Sequence, residues 1–255
     1  MWLRLRQICL VAEKLAPVEE ALCDVFGVKV CYNDPGVGQF GLENALFPFG
    51  NQMLEVVAPV EEGTTGGRYL ERRGGDGGYM FITQCDDFAP RSKRVEELGI
   101  RLAHHFERPE FLNMQMHPKD TGVTFFEIDE QIGPDAHELD GAWMPASVGW
   151  QEYKCTDRVS GFAAAELQCD DPQKSAKLWS EISEIALTEE NGHPTLVLDN
   201  AKARFVPCTD GRPEGLGGLD IATTDKAAIL AAAEARGLVT GENQVSICGM
   251  RLNLV

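Results

Sequence analysis

The sequence predicts an α+β protein built from four related units that pair into two domains. Two observations carry that reading. Strand-like alternation and helical periodicity succeed one another along the chain, and one sub-pattern, a strand, a helix and then further strands, returns four times. The 255 residues, 44% of them hydrophobic, also suffice to bury a full core in one or two domains of ordinary size.

The first unit opens with the alternating Met1-Trp2-Leu3-Arg4-Leu5-Arg6, and Arg6 to Ala12 reads as its strand. The spacing predicts a helix over Ala16 to Val25, because Val18, Leu22, Val25 and Phe26 fall on one face and Gly27 follows as a C-cap. Strands follow at Lys29 to Tyr32, Glu43 to Phe47 and Gln52 to Val57, with Asp34-Pro35-Gly36 and Phe49-Gly50-Asn51 as turns. A Gly/Thr/Arg-rich stretch from Gly63 to Gly78 interrupts the pattern. The second unit then repeats it: strand Tyr79 to Gln84, helix Pro90 to Leu98 ended by Gly99, and strands at Arg101 to Phe106, Leu112 to Met116 and Thr121 to Ile128. Both units read βαβββ. A linker carrying Pro134, Gly141, Pro145 and Gly149 leads to the third unit, with strand Gly161 to Cys169, helix Pro172 to Ile185, and strands Thr195 to Asp199 and Ala203 to Pro207. The fourth is shorter: strand Gly217 to Thr223, helix Lys226 to Arg236, and strands Gln244 to Cys248 and Arg251 to Val255. Pairing the units gives an expected first domain at 1–145 and a second at 146–255.

Charge excludes several partners. With 40 acidic against 23 basic side chains the formal net charge is −17, and no Lys/Arg-rich run breaks the acidity, so nucleic acid is not an expected partner. The N-terminal apolar stretch is too short for a signal-peptide core, and no segment approaches the roughly 18 apolar residues of a membrane helix. The expected protein is soluble and cytoplasmic, without a membrane partner. Eight cysteines are scattered singly through apolar segments with no Cys-x-x-Cys pair, which reads as free, buried thiols.

Strand arithmetic finds a candidate site. A side-chain period of two puts Leu5, Gln7, Cys9 and Val11 on one face, as it does Met53, Glu55 and Val57, and Val123, Phe125 and Glu127. Each face is apolar with one polar group set into it. A buried carboxylate is costly unless paired, protonated or metal-bound, so two of them at matching positions of two repeats point to a shared site. The other possibility is that both lie at strand ends and reach water or an Arg.

Two stretches resemble the vicinal oxygen chelate superfamily of glyoxalases, methylmalonyl-CoA epimerases, extradiol dioxygenases and bleomycin-resistance proteins. Gly41-Leu42-Glu43-Asn44-Ala45-Leu46-Phe47-Pro48-Phe49-Gly50, running into Gln52 to Pro59, is similar to the hairpin of glyoxalase-like proteins. His117-Pro118-Lys119-Asp120-Thr121-Gly122-Val123-Thr124-Phe125-Phe126-Glu127 is similar to the hairpin and closing strand of the epimerases. The resemblance implies that each pair of modules curls into a half-barrel cup. It also implies a metal held on the first and last strands of the two modules, which places Gln7, Glu55, Met80 and Glu127 there. Met80 departs from the pattern, because His is usual at that place and a thioether suits hard divalent metals poorly. In the second half the same positions fall on Ala164, Arg204, Gly218 and Asn253, which form no metal set, so the cleft is expected in residues 1–131.

The activity so implied is that of a metal-dependent lyase or isomerase. A divalent metal (Mg, Mn, Ni, Co or Zn) on Gln7, Glu55 and Glu127 binds two neighbouring oxygens of a small substrate, and Glu55 or Glu127 acts as the general base toward an enediolate or enolate. The alternative is a metal-free, drug-sequestering binding protein of the same fold, for which Met80 and the nearby Met and Phe side chains argue. An extradiol dioxygenase needs a His-His-Glu iron site that these positions do not offer. Asn44, Met80, His117, Lys119 and Arg68 are candidate substrate contacts. His117 sits in the hairpin before the last strand, where Lys119 and Asp120 are placed to meet an acyl or phosphate group, although Pro118-Lys119-Asp120-Thr121-Gly122 is equally what a tight turn requires. Arg68, Arg72 and Arg73 either bind a substrate carboxylate at the cup's mouth or lie on an exposed helix beside Glu71. Of the adjacent His104 and His105, one must point inward, where it could stand in for the ligand missing at Met80. Gly74-Gly75-Asp76-Gly77-Gly78 lacks Gly-Lys-Ser/Thr and precedes a strand, so it reads as a flexible connection rather than a phosphate loop. Monomer and homodimer both suit the internal duplication.

Overall fold

The structure, a computed structural model, describes residues 2–255. The first half runs β1 (Leu3–Val11), α1 (Leu15–Phe26), β2 (Leu42–Phe49), β3 (Gln52–Pro59), α2 (Thr65–Arg73), β4 (Gly77–Cys85), α3 (Phe88–Glu97), β5 (Leu102–Arg108), β6 (Phe111–Met116), the short α4 (Pro118–Thr121) and β7 (Phe125–Gln131). The second half runs β8 (Val159–Cys169), α5 (Pro172–Ser183), β9 (Leu187–Glu190), β10 (His193–Val197), β11 (Lys202–Pro207), β12 (Gly215–Thr223), α6 (Lys226–Ala235), β13 (Val239–Gly241), β14 (Gln244–Ile247) and β15 (Met250–Leu254). Among the described residues the strands form a seven-stranded sheet, β2-β3-β1-β4-β7-β6-β5, and an eight-stranded sheet, β13-β14-β15-β12-β8-β11-β10-β9. In the first sheet the first strands of the two modules, β1 and β4, pair antiparallel, and each pairs parallel with its own module's last strand, β3 or β7. The α+β fold of paired modules is therefore as the sequence predicts. No helix among the described residues is long and apolar enough to cross a membrane.

Several elements differ from expectation for local reasons. Lys29 to Tyr32 is not a strand: its alternation yields one isolated bridge, Tyr32 to Leu46, after which Asp34-Pro35 starts a 3-10 turn over Pro35–Phe40. The chain there is tied down by a side chain, since Asn44 Oδ1 accepts from the Asp34 amide at 2.8 Å. The Gly/Thr/Arg stretch contains α2, capped by Thr64, whose hydroxyl accepts from the Gly67 amide, and closed by Gly74 in the left-handed region. The strand expected from Thr121 begins at Phe125, because Pro118–Thr121 is a helical turn with His117 as its cap. The short strands β9 and β13, exposed along most of their length, lack the apolar runs that would have marked them.

One hydrophobic core joins the two sheets. Trp179 of α5 stacks on Phe126 of β7 at 4.1 Å between ring centroids and meets Phe81 of β4 and Phe205 of β11 edge-on. Backbones approach closely elsewhere in the seam. A Cβ on Gly50, itself at φ +63°, would lie 1.9 Å from the Ser160 carbonyl oxygen, so only glycine fits there. Side-chain amides mimic strand pairing across the same seam: Gln52 accepts from the Phe162 amide at 2.6 Å, and Asn200 from that of Leu5 at 2.9 Å.

Candidate active site

The strand faces that do not enter the shared core line the first-half cup. Ile8, Leu10, Leu54, Val56, Phe126 and Ile128 go to the core, and their neighbours Cys9, Val11, Met53, Val57 and Phe125 go to the cup. Gln7, Glu55, Met80, Glu127 and Asn44 border one cleft of about 500 Å³ there. The register makes the first four two-fold equivalents: Gln7 stands opposite Ile82 and Cys9 opposite Met80, while Glu55 pairs beside Cys9 as Glu127 does beside Ile82. Gln7, Glu55 and Glu127, singled out by strand arithmetic, thus border the same cleft as Met80, placed by the resemblance.

Amides hold the carboxylates. Gln7 Nε2 donates to Glu55 Oε2 at 2.9 Å, and Asn44 Nδ2 donates to Glu55 Oε1 at 2.7 Å. On the other side Gln115 Nε2 donates to Glu127 Oε2 at 3.1 Å and lies 3.7 Å from Met80 Sδ. Behind Glu127, on the same strand face, is the fully buried Asp129, whose Oδ1 accepts from Asn113 Nδ2 at 2.9 Å. Its Oδ2 meets no donor among the described residues.

Sequence reasoning missed Trp143, which comes from the linker. Its indole Nε1 donates to Gln7 Oε1 at 2.8 Å. Two arginines of β1 place it. Arg4 donates to the carbonyls of Ala136, His137 and Glu138, and Arg6 to those of Asn51, Leu139 and Gly141, with the Arg6 guanidinium 5.4 Å from the Trp143 ring centre and 5.3 Å from that of Trp150. The linker is thereby fastened across the end of the cup. Asp129, Asn113 and Gln115 were missed too, although Asp129 shares the period-two face of Glu127 and was legible in principle.

Burial sets the charges. Glu55 is raised above the usual carboxylate range by desolvation, against the pull of its hydrogen bonds with Asn44, Cys9 and Gln7. Desolvation pushes Glu127 up to about 7, with the Glu55 charge adding and the hydrogen bonds of Asp129, Gln115 and Asn113 opposing. Asp129 is held well above its ordinary value by the same burial and by Glu127. A stability prediction follows with a definite sign. The folded chain keeps the Glu127 proton at a pH where the unfolded chain, with an ordinary value of 4.5, has lost it. Stability should therefore fall as pH rises from about 4.5 to 7, by roughly 3 kcal/mol from this group. Urea melts across that range should show the slope in the parent and a flatter one in Glu127→Gln; equal slopes would remove Glu127 as its source.

The expected metal set meets in space but does not fit a divalent cation. An indole N–H can only donate, so Gln7 must turn its oxygen to Trp143 and present to Glu55 its nitrogen, which cannot ligate a metal. Both Glu55 oxygens already accept amide protons, and the fourth place holds a thioether. Among the described residues no three His, Cys, Asp or Glu side chains cluster as a metal site, so His104 does not complete one. His104 lies at the cleft's rim against Phe40 and Phe106, while His105 faces the other way onto Phe88.

A second chamber of about 540 Å³ adjoins the cleft, sharing Val37, Phe40, Glu55, Met80 and His104 with it. Arg68 and His117 border this chamber. Lys119 does not: it is exposed at the α4 turn, where its backbone N–H donates to His117 Nδ1.

In the second half β8 and β11 repeat the register of β1 and β3, and β12 and β15 that of β4 and β7, which puts Ala164, Arg204, Gly218 and Asn253 where Gln7, Glu55, Met80 and Glu127 stand. Polar groups there satisfy one another. Arg204 bridges Glu166 at 3.2 Å and Asp220 at 2.8 Å, Arg251 holds Glu166 and Asp210, and Asn253 donates to Asp220.

No family model and no curated protein matches the chain. Solved structures do match. A hypothetical protein from Staphylococcus aureus aligns over 100% of this chain and 99% of its own, at 12% identity and a TM-score of 0.69. Methylmalonyl-CoA epimerase from Mycobacterium tuberculosis aligns at 21% identity and a TM-score of 0.44, over 51% of this chain and 88% of its own. A Streptomyces coelicolor methylmalonyl-CoA epimerase variant in complex with 2-nitronate-propionyl-CoA aligns at 16% identity and 0.45, over 51% and 98%. The full-length match is one of fold. The paired modules described above give the chain a glyoxalase-like fold, the one that the two sequence stretches lead one to expect.

Proposed function

We propose that the first-half cup is a proton-transfer site of the isomerase or lyase kind, acting on a small carbonyl compound through an enolate, with Glu55 and Glu127 as its acid–base pair. One observation carries this: two buried carboxyl groups at two-fold-related positions border one cleft, in unlike surroundings and without a basic partner among the described residues. Glu55, gripped by two amide N–H donors, is the better carboxylate and takes the proton from the carbon beside the carbonyl. The C–H electron pair becomes the enolate. Glu127, kept protonated by burial, returns a proton, and delivery from its own side of the cleft inverts the carbon. Gln7 and Asn44 fix the base, and Trp143 fixes Gln7. No metal enters these steps.

A sequestering role without chemistry is the second reading, favoured by the Met80 thioether and the apolar walls of the second chamber. Exchange separates the two. Enolisable ketones and acids incubated with the protein in D₂O should lose the proton beside the carbonyl, read by ¹H NMR, and chelator should leave that rate unchanged. Ligands that bind and never exchange would replace the enzyme by the binder.

A further inference from the structure

We propose that the cup's ligand is an amphipathic anion: an enolisable carbonyl at one end, a compact apolar middle, and a carboxylate or phosphate at the other. The inference rests on the proton-transfer reading for the place of the carbonyl, and it comes from the contrast between the two chambers. The cleft holding Glu127 is the more polar of the two, with Asn44, Asn113, Asp34 and Arg108 among apolar neighbours such as Ile82 and Phe111. The adjoining chamber is walled by Leu42, Val57, Tyr79 and Phe125, with Val37 and Phe40 shared above. Such a wall takes hydrocarbon or an aryl ring, and together the chambers are of the size of small-molecule sites.

The polar groups at the outer end of the apolar chamber present donors. Arg68 forms no ion pair among the described residues, although the chain carries a formal net charge of −17. Its guanidinium uses two local acceptors, the Gly63 carbonyl and Thr65 Oγ1, out of a five-donor capacity. His117 accepts from the Lys119 amide through Nδ1, so its neutral ring carries the proton on Nε2 and offers a second donor. Arg68 and Thr65 belong to the first turn of α2, which contains no acidic residue, so the helix end adds to the positive potential. Charge favours this orientation: the Glu55 carboxylate repels an anion from the inner end, where Arg108 lies over the Phe106 ring, and Arg68 attracts one at the outer.

Isothermal titration with 4-acetylbenzoate, 4-acetylphenyl phosphate and acetophenone tests this on the full chain. At least one anionic ketone should bind about tenfold more tightly than acetophenone, and Arg68→Gln, a surface change, should erase that margin while leaving acetophenone's Kd unchanged. The anionic probe that binds more tightly identifies the terminus as carboxylate or phosphate. Equal affinity for charged and neutral ketones, indifference of the anionic probes to Arg68→Gln, or no binding of any probe would overturn the proposal. Methyl-proton exchange read in the same samples keeps the two readings apart. Arg68-dependent binding without exchange upholds the ligand class and refutes proton transfer, and exchange without anion preference does the reverse.

Discussion

Replacing Trp179 by alanine should cost the protein about 4 kcal/mol and destabilise both halves in a single transition. The ring is fully buried on α5, yet its partners come from both sheets: Phe126 stacked at 4.1 Å, with Phe81 and Phe205 edge-on, each at 5.5 Å. Truncation removes the transfer energy of the largest side chain type, leaves a cavity walled by three rings, and strands the Thr121 carbonyl that accepts from Nε1 at 3.0 Å. Phe81 and Phe126 also adjoin Met80 and Glu127 in sequence, so the cavity lies directly behind the cup's floor. Urea denaturation followed by circular dichroism should show a lower midpoint with an unchanged slope. A loss under about 1 kcal/mol, or two separated transitions, would show that the halves do not depend on this ring. Trp179→Phe should recover part of the loss, because it keeps a ring to stack on Phe126 while giving up the N–H and the indole's second ring.

How far the sequence reaches can be judged on single residues. Alternation alone put Gln7, Glu55 and Glu127 each on the apolar face of its own strand, because a period of two needs no knowledge of the rest of the chain, while the family resemblance supplied the correspondence that pointed to Ala164, Arg204, Gly218 and Asn253. The Lys29 to Tyr32 alternation is equally real but buys only one bridge, since Asn44 captures the Asp34 amide and Pro35 opens a turn. A side chain won there over a strand ladder. Least legible was the chemical role of Gln7. Its amide could face either way, and the choice is made by an indole 136 residues further on. A metal ligand and a hydrogen-bond clamp are the same residue in sequence and differ only in that distant contact.

The carboxyl pair sets the second large effect. Glu55→Gln and Glu127→Gln should each slow proton exchange on an enolisable ligand by about a thousandfold, the usual scale for losing a general acid or base. Glutamine keeps the shape of each side chain, so below about pH 5, where the buried Glu127 carboxyl is protonated in the parent, the melting temperature should move little compared with the rate. The pH profile assigns the roles. Exchange that begins with Glu55 as base needs its carboxylate, so the rate should rise with pH as that group, raised by burial above the ordinary range, gives up its proton. Delivery by Glu127 needs its proton, so the rate should fall again near pH 7. The residual rate of Glu127→Gln should keep the rising limb and lose the falling one, while that of Glu55→Gln should do the opposite. Asn44→Ala, which removes one donor from the Glu55 carboxylate, should move the rising limb to higher pH, because the hydrogen bond favours the charged form. A profile with a single limb untouched by either glutamine would mean that the proton is carried by some other group. Unchanged rates in both variants would leave Glu55 and Glu127 as buried walls of a binding cup.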